Sequence, residues 1–408
     1  MRYGLLGEKL GHSYSPQIHS QLGDYQYDLY EVSPAGLEDF LKTDDFSGLN
    51  VTIPYKKAVI PYCSELSPVA QKLGSVNTIL RMQNGSLVGH NTDYYGFTAM
   101  VQKTGIDVAG KKCLVLGSGG ASATAVCVLE EMGAQVIVVS RRGENNYENL
   151  ILHSDAAMIV NATPVGMYPH NGQTCVDLSI FPRLEAVLDL IYNPARTQLL
   201  LDAERRGIPA MNGLLMLVAQ AKESAEWFTG RPIEDAKIFA IYHSLQMQMQ
   251  NIILIGMPGC GKSAVAKQLA ARLSRKAVDA DALIESLAGK SIPQIFTEEG
   301  ESGFREWETK ALSELGKRSG LVIATGGGCV TKERNYPLLH QNGTCFWIQR
   351  DILSLPTDGR PLSQQTDLAQ MYKLRQPLYA SFADHTILND GKIEDTVQKI
   401  IDIWEESR

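Results

Sequence analysis

Apolar residues come in short runs along this chain, each followed by a break and then by a segment with helical spacing. Residues 3–6, 27–31 and 48–52 read as strands, with helices predicted over 16–22 and 36–41 between them. From Lys112 the pattern sharpens: a strand at 113–116, a helix at 121–132 closed by Gly133, and a strand at 135–139. Further strands are predicted at 158–161 and 187–190, and helices at 214–228 and 233–245. The segment Gln246-Met247-Gln248-Met249-Gln250 then leads straight into a strand at 251–255. It has no Gly, Pro or Ser and reads as a short stiff joint, so a domain boundary is placed there, giving 1–246 and 247–408. Alternation resumes beyond it: helix 262–273, strand 277–279, helices from 281 to 315, and strands at 321–324 and 344–348. The polar stretch Arg350 to Gln365, with Pro356, Gly359 and Pro361, reads as a mobile loop. Strands alternating with helices predict an α/β protein with parallel sheets.

A chain of 408 residues exceeds one ordinary core and predicts two or three domains. With 44% hydrophobic and 20% charged residues it has the composition of a globular protein. A net charge of −7 gives no reason to expect nucleic acid or an anionic membrane as partner, and no apolar run reaches spanning length. Met1-Arg2-Tyr3-Gly4-Leu5 enters a strand-like segment without a signal or transit pattern. Seven scattered cysteines, several inside apolar runs, read as reduced thiols of a cytoplasmic protein. The dispersed histidines offer no zinc-type spacing.

Two glycine loops carry the first chemistry. Gly117-Ser118-Gly119-Gly120-Ala121 follows the run 113–116 at the first turn of a βαβ unit, where backbone N–H groups and a helix N-terminus suit a dinucleotide pyrophosphate. Such turns also occur for tight packing alone. Ser140-Arg141-Arg142 ends the next strand, where an acidic residue would select NAD; arginine pairs with a 2′-phosphate and points to NADP. Gly256-Met257-Pro258-Gly259-Cys260-Gly261-Lys262-Ser263 is the more demanding pattern, a nucleoside-triphosphate loop between strand and helix. Lys262 would reach the β/γ-phosphates and Ser263 would ligate Mg²⁺. Asp279-Ala280-Asp281 follows a strand, so one carboxylate can help hold Mg²⁺ and the other can accept a hydroxyl proton. Three polar segments remain: Ser13-Tyr14-Ser15-Pro16, Asn50 to Lys56, and Asn77-Thr78 with Asn91-Thr92-Asp93. A lysine near an aspartate can hold and release the proton that ketone reduction needs, and paired serines can clamp a carboxylate. By spacing alone each segment also reads as a capped turn.

The first half resembles shikimate dehydrogenase. The match runs through Gly11 to Pro16, Asn50 to Lys56, Val76-Asn77-Thr78, Asn91-Thr92-Asp93, Gly117 to Ala121, Asn161 to Met167 and Met216 to Ala221. The resemblance implies reduction of 3-dehydroshikimate by NADPH, with Lys56 and Asp93 as the catalytic pair. Ser13 and Ser15 would bind the carboxylate. Thr52, Lys56, Asn77, Asp93, Tyr192 and Gln220 would contact the ring. Gly117, Gly119, Gly120, Ala121, Ser140, Arg141, Arg142, Thr163 and Gly213 would bind NADP. It implies a substrate-binding subdomain (1–100 plus 214–246) and a Rossmann-type NADP-binding subdomain (101–213). Ala123 departs from the basic residue many relatives carry there.

The second half resembles shikimate kinase, through Gly256 to Ser263, Asp279 to Asp281, Gly303-Phe304-Arg305, Ala324 to Gly328, Gly359 to Leu362 and Arg375 to Tyr379. The resemblance implies a P-loop kinase domain with a parallel sheet. Gly259, Cys260, Gly261, Lys262, Ser263 and Arg360 would hold ATP, with Lys262 and Arg360 aiding transfer. Ser263 and Asp279 would serve Mg²⁺. Asp281, the base, would bind shikimate with Arg305, Gly327, Gly328 and Arg375. The lid between Arg350 and Arg360 is shorter than usual, and a basic residue before it is missing. Together the halves imply a bifunctional enzyme of aromatic amino acid biosynthesis. The alternatives are one catalytically silent, regulatory half, or a quinate-tolerant dehydrogenase fused to another small-molecule kinase.

Overall fold

In the two wholly parallel sheets of this protein, most strands aim their carboxyl ends at a loop that carries candidate chemistry. The computed structural model describes residues 1–11, 13–355 and 368–406. The chain divides into two compact units. One comprises Met1–Val165, Thr174–Tyr192 and Asp202–Ser244; the other comprises Gly166–Gln173, Asn193–Leu201 and Leu245–Arg408.

The first unit holds two sheets. Strands β1 (Arg2–Gly7), β2 (Gln26–Glu31), β3 (Gly48–Val51), β4 (Glu65–Leu66), β5 (Thr78–Arg81) and β6 (Leu87–His90) form a sheet in the order β2-β1-β3-β5-β6-β4. β1 runs parallel to β2 and β3, whereas β5 is antiparallel to β3 and β6. Its inner face packs Leu6, Leu49, Val51 and Ile79, all fully or almost fully buried. Strands β7 (Lys112–Leu116), β8 (Gln135–Val139), β9 (Met158–Asn161), β10 (Ala186–Asp189) and β11 (Ala210–Asn212) form the second, in the order β11-β10-β9-β7-β8, all parallel. Cys113 to Leu116 are buried on both faces, which is why this strand reads as an unbroken apolar run. The chain steps from β7 to β8 on one side and then to β9 on the other, so a crevice opens beyond the end of β7.

The second unit repeats that logic. Strands β12 (Asn251–Ile255), β13 (Lys276–Asp279), β14 (Leu321–Ala324), β15 (Gly343–Gln349) and β16 (His385–Leu388) form a parallel sheet ordered β13-β14-β12-β15-β16. Ile252 to Ile255 are fully buried at its centre. The long helix Ile292–Gly316 bends at Gly300, and a capping box of Ser291 with Gln294 starts it.

The pattern misplaced one feature. The predicted joint 246–250 is helical through Met249, the last residue of the helix Ala236–Met249. Gln and Met are good helix formers, and without Gly or Pro nothing stops the helix before the strand. The loop expected from Arg350 onward falls outside the described residues between 356 and 367; before that, Ile352–Ser354 forms a short 3₁₀ turn.

Candidate active sites

In the first unit, Lys56 follows the end of β3 and Asp93 opens the helix Asp93–Lys103. Their side chains meet, Lys56 Nζ to Asp93 Oδ2 at 2.5 Å, both partly exposed. The other Asp93 oxygen accepts from Asn77 Nδ2 at 2.9 Å. Asn77 Oδ1 in turn accepts from the Thr92 amide at 2.7 Å and the Thr78 hydroxyl at 3.1 Å. Thr92 reaches Gln220 Oε1 at 3.3 Å from the helix Leu214–Thr229. One hydrogen-bonded set thus gathers Lys56, Asn77, Asp93 and Gln220. Ser13 and Ser15 come together at the start of the helix Ser15–Leu22, where the Ser15 amide donates to Ser13 Oγ at 3.2 Å. The rings of Tyr14 and Tyr192 meet edge-on at 6.2 Å, and burial raises the pKa of both phenols. Thr52 lies half-buried just beyond β3, its amide donating to Leu6 O.

The glycine loop leaves β7 with Gly117 at φ +108°, a left-handed conformation that glycine tolerates, and Ser122 Oγ donates back to Gly117 O at 2.7 Å. A side chain at Gly119 or Gly120 would meet nothing within 4 Å, so these backbones face open space. The Gly117 amide donates to Val139 O at 2.8 Å, which sets this loop beside Ser140, Arg141 and Arg142 at the end of β8. Both arginines are exposed, and neither forms an ion pair among the described residues. A dinucleotide phosphate therefore fits: an open backbone loop at a helix N-terminus with two uncommitted guanidinium groups. Thr163 is held by its hydroxyl on Asn161 Oδ1 at 2.7 Å, next to Gly117. Gly213 has a packing reason of its own, since a Cβ there would sit 2.2 Å from Leu190 O.

In the second unit one cavity of about 550 Å³ gathers the candidate groups of three strand ends. Lys262 and Ser263 open the helix Lys262–Arg272 after Gly261, whose φ is +100°. Lys262 Nζ is held by Gly256 O at 2.8 Å and Met257 O at 2.9 Å. Cys260, expected to hold ATP, is fully buried, its amide donating to Met257 O and its carbonyl accepting from Asn389 Nδ2 at 2.7 Å, and it does not line the cavity. Ser263 Oγ donates to Asp279 Oδ2 at 2.8 Å, and Asp279 Oδ1 caps the Asp281 amide at 3.0 Å. Burial first, and Asp279 second, push the Asp281 carboxyl above its ordinary range. Arg305 enters from the long helix and is almost fully buried; Nη1 meets Glu308 Oε2 at 2.8 Å. A Cβ on Gly328 would fall 2.1 Å from that guanidinium, so only glycine admits it. Arg375 Nη1 donates to Gly327 O at 3.2 Å, and the Tyr379 hydroxyl donates to the same oxygen. Arg360 lies outside the described residues.

Three buried polar atoms around this cavity lack a partner among the described residues: Asp281 Oδ1, Arg305 Nε and Glu308 Oε1. Orphaned buried groups of both signs suit a ligand carrying hydroxyls and a carboxylate. The oxygens of Ser263 and Asp279 are hard donors of the kind Mg²⁺ takes. Glu308 escaped the sequence reading. Its signal was the Arg-x-x-Glu spacing within Arg305-Glu306-Trp307-Glu308, which puts both on one helix face, although such pairs are ordinarily solvated. Thr92 and Asn50, inside quoted motifs, were given no role either.

Comparison with known proteins identifies the families of the two halves. A family profile for the shikimate dehydrogenase substrate binding domain matches residues 5–79, and one for shikimate kinase matches 258–405. The NADP(+) shikimate dehydrogenase of Clostridium perfringens (strain SM101 / Type A) is 34% identical over 267 residues, 60% of this chain and 98% of that protein. A crystal structure of a chorismate mutase/shikimate 5-dehydrogenase fusion from Clostridium acetobutylicum is similar at 37% identity and TM-score 0.57, covering 60% of this chain and 97% of that one. The Thermus thermophilus shikimate 5-dehydrogenase in complex with NADP(H) and shikimate is similar at 30% identity and TM-score 0.55, covering 60% and 99%. The chain belongs to the shikimate dehydrogenase family over its first 60% and carries a shikimate kinase domain after it, so it is an enzyme that joins an NADP-dependent oxidoreductase to an ATP phosphotransferase.

Proposed function

We propose that residues 1–246 reduce 3-dehydroshikimate to shikimate with NADPH, and that residues 247–408 phosphorylate shikimate to shikimate 3-phosphate with MgATP. The observation that carries this is that each site presents groups suited to a carboxylated polyhydroxy ring: Lys56, Asp93 and Asn77 with the serine pair in one, Asp281, Arg305 and Arg375 in the other.

NADPH supplies the hydride when bound on the Gly117 loop, with Arg141 and Arg142 at its 2′-phosphate. Ser13 and Ser15 hold the carboxylate. Asn77 and Gln220 hold ring hydroxyls. Lys56 Nζ, kept oriented by Asp93 at 2.5 Å, presents a proton to the ketone oxygen. In the kinase, MgATP supplies the phosphoryl group, with Ser263 and Asp279 as the metal's protein ligands. Arg305 and Arg375 hold the carboxylate of shikimate. Asp281, raised by burial, is the more basic for it and accepts the proton of the attacking hydroxyl.

The test supplies 3-dehydroshikimate as the only carbon substrate and follows NADPH oxidation and ADP formation together. Lys56→Ala is expected to stop NADPH oxidation while leaving ADP formation from added shikimate; Lys262→Ala does the reverse. If either variant leaves both activities intact, that site is not the one assigned. Oxidation of quinate in place of shikimate by the wild-type chain would shift the reading of the first half to the quinate-tolerant form.

A further inference from the structure

Behind the phosphate loop of the second unit, one buried side-chain amide holds a single peptide in place. Asn389 follows the last residue of β16 and is 5% exposed. Its backbone N–H donates to Gln349 O at 2.7 Å, which ties it to the end of β15. Its side-chain Nδ2 donates to Cys260 O at 2.7 Å. Its Oδ1 accepts from the hydroxyl of Thr396 at 2.8 Å, a buried residue of the helix Ile393–Glu406. A carbonyl oxygen can only accept, so the amide nitrogen must face Cys260, the amide oxygen must face Thr396, and the hydroxyl must donate. The approach is close: a Cβ at Gly261 would fall 2.7 Å from Asn389 Nδ2.

The peptide so held is the one that enters Gly261. It is trans, so its C=O and N–H point opposite ways. Drawing Cys260 O back onto Asn389 turns the Gly261 N–H forward, and Gly261 lines the cavity. That N–H has no acceptor among the described residues, whereas Gly261 O accepts from the Val265 amide at 3.0 Å as the helix Lys262–Arg272 begins. A free donor at the head of a helix suits a phosphate oxygen. The inverted peptide would present a carbonyl there instead, which repels an anion. We infer that Asn389, oriented by Thr396, is a positioning residue that keeps the Gly261 N–H turned toward the phosphates of ATP. It acts through Cys260 and Gly261, without contact of its own with the nucleotide. The inference rests on the kinase reading above.

Calorimetric titration of the full chain with ADP and Mg²⁺ reads this loop without an acceptor substrate. Asn389→Ala is expected to weaken ADP binding about tenfold, the worth of one hydrogen bond to a charged group. KM for ATP should rise alike while KM for shikimate holds. Thr396→Val, which frees the Asn389 amide to turn over, is expected to act in the same direction by a smaller factor. The double variant is expected to bind ADP no more weakly than Asn389→Ala, because Thr396 acts only through that amide. Penalties that multiply overturn the inference. So do variants that melt earlier yet bind ADP as the wild type does, since Asn389 then contributes to stability alone. If Asn389→Ala does not fold, Thr396→Val decides, and wild-type ADP affinity in that variant overturns the assignment. A wild-type chain that binds ADP but phosphorylates no shikimate would instead sink the kinase reading, with the binding test of Asn389 still standing.

Discussion

Asp281 and Glu308 show what a sequence leaves unsaid about single residues. Two carboxyls are buried around one cavity with arginine and lysine beside them, and burial pushes both above the ordinary carboxylate range. Asp281 was legible because it follows a strand and a phosphate loop; Glu308 was not, because Arg-x-x-Glu on a helix looks the same whether solvated or buried. Burial is a property of the packed helix, and no local pattern states it. A raised folded-state pKa has a definite sign. The favourable contribution of protonated Asp281 is present below the unfolded-state value and is lost as pH rises through the folded one. At neutral pH the native state therefore bears the cost of a desolvated charge. Asp281→Asn is expected to lower kinase turnover about 100-fold or more. It should also raise the melting midpoint at pH 7 by about 2–4 °C, the shift expected of about 1 kcal/mol in a domain of this size. The gain should disappear near pH 4. Calorimetry at the two pH values checks it; an unchanged midpoint at pH 7 would show that the charge costs nothing there.

Elements were legible where one face decides them. The apolar runs of β7 and β12 and the glycine that follows each were readable directly, since a strand buried on both faces must be apolar throughout. The strands β5 and β6, joined across Met82 to Ser86, went unread, because each is only four residues long and ends on a basic or polar side chain, Arg81 or His90. Arg81 is there because it donates to Leu41 O, Thr43 O and Phe46 O, a tertiary reason invisible in β5 itself. A comparable case fixes the helix Leu214–Thr229, which carries Gln220. Lys222, only 7% exposed, reaches both Glu226 and Asp235 at 2.9 Å, and Tyr95 OH donates to the same Asp235 oxygen at 3.0 Å. This ties the helix to the helix Asp93–Lys103 and to the segment before Ala236. Removing the ammonium leaves the partly buried Glu226 Oε1 with the Ile233 amide, at 2.6 Å, but without its countercharge. Lys222→Met is thus expected to destabilise the first unit by about 1–3 kcal/mol. Dehydrogenase activity should then fail at lower urea while kinase activity persists. Equal loss of both activities would mean that the staple is not local.

Across the whole molecule, acid acts on the two units through opposite kinds of buried group. In the first, burial pushes His19 down to about 3 and His90 down to about 4, so both are neutral when folded. An unfolded histidine titrates near 6.5, so below that pH the unfolded chain binds protons that the folded one refuses. Each such histidine then costs about 1.4 kcal/mol of stability per pH unit until its folded value is reached. Glu223, raised by burial, opposes this in the same unit. In the second unit the balance is reversed: Asp281 and Glu308 are raised and relieve strain on acidification, against the buried and lowered His340. Lowering pH from 7 to 5 should therefore bring down the temperature of half-inactivation of the dehydrogenase more than that of the kinase. The two activities, each assayed at its own optimum after heating at the chosen pH, report the two units separately without any need for a two-state transition. His90→Gln, which leaves a neutral partner for Ser67 and a flat side chain against Trp227, should flatten the dehydrogenase curve and leave the kinase curve alone. Parallel curves in the wild-type chain would mean that groups spread over both surfaces, and not these buried ones, set the response to acid.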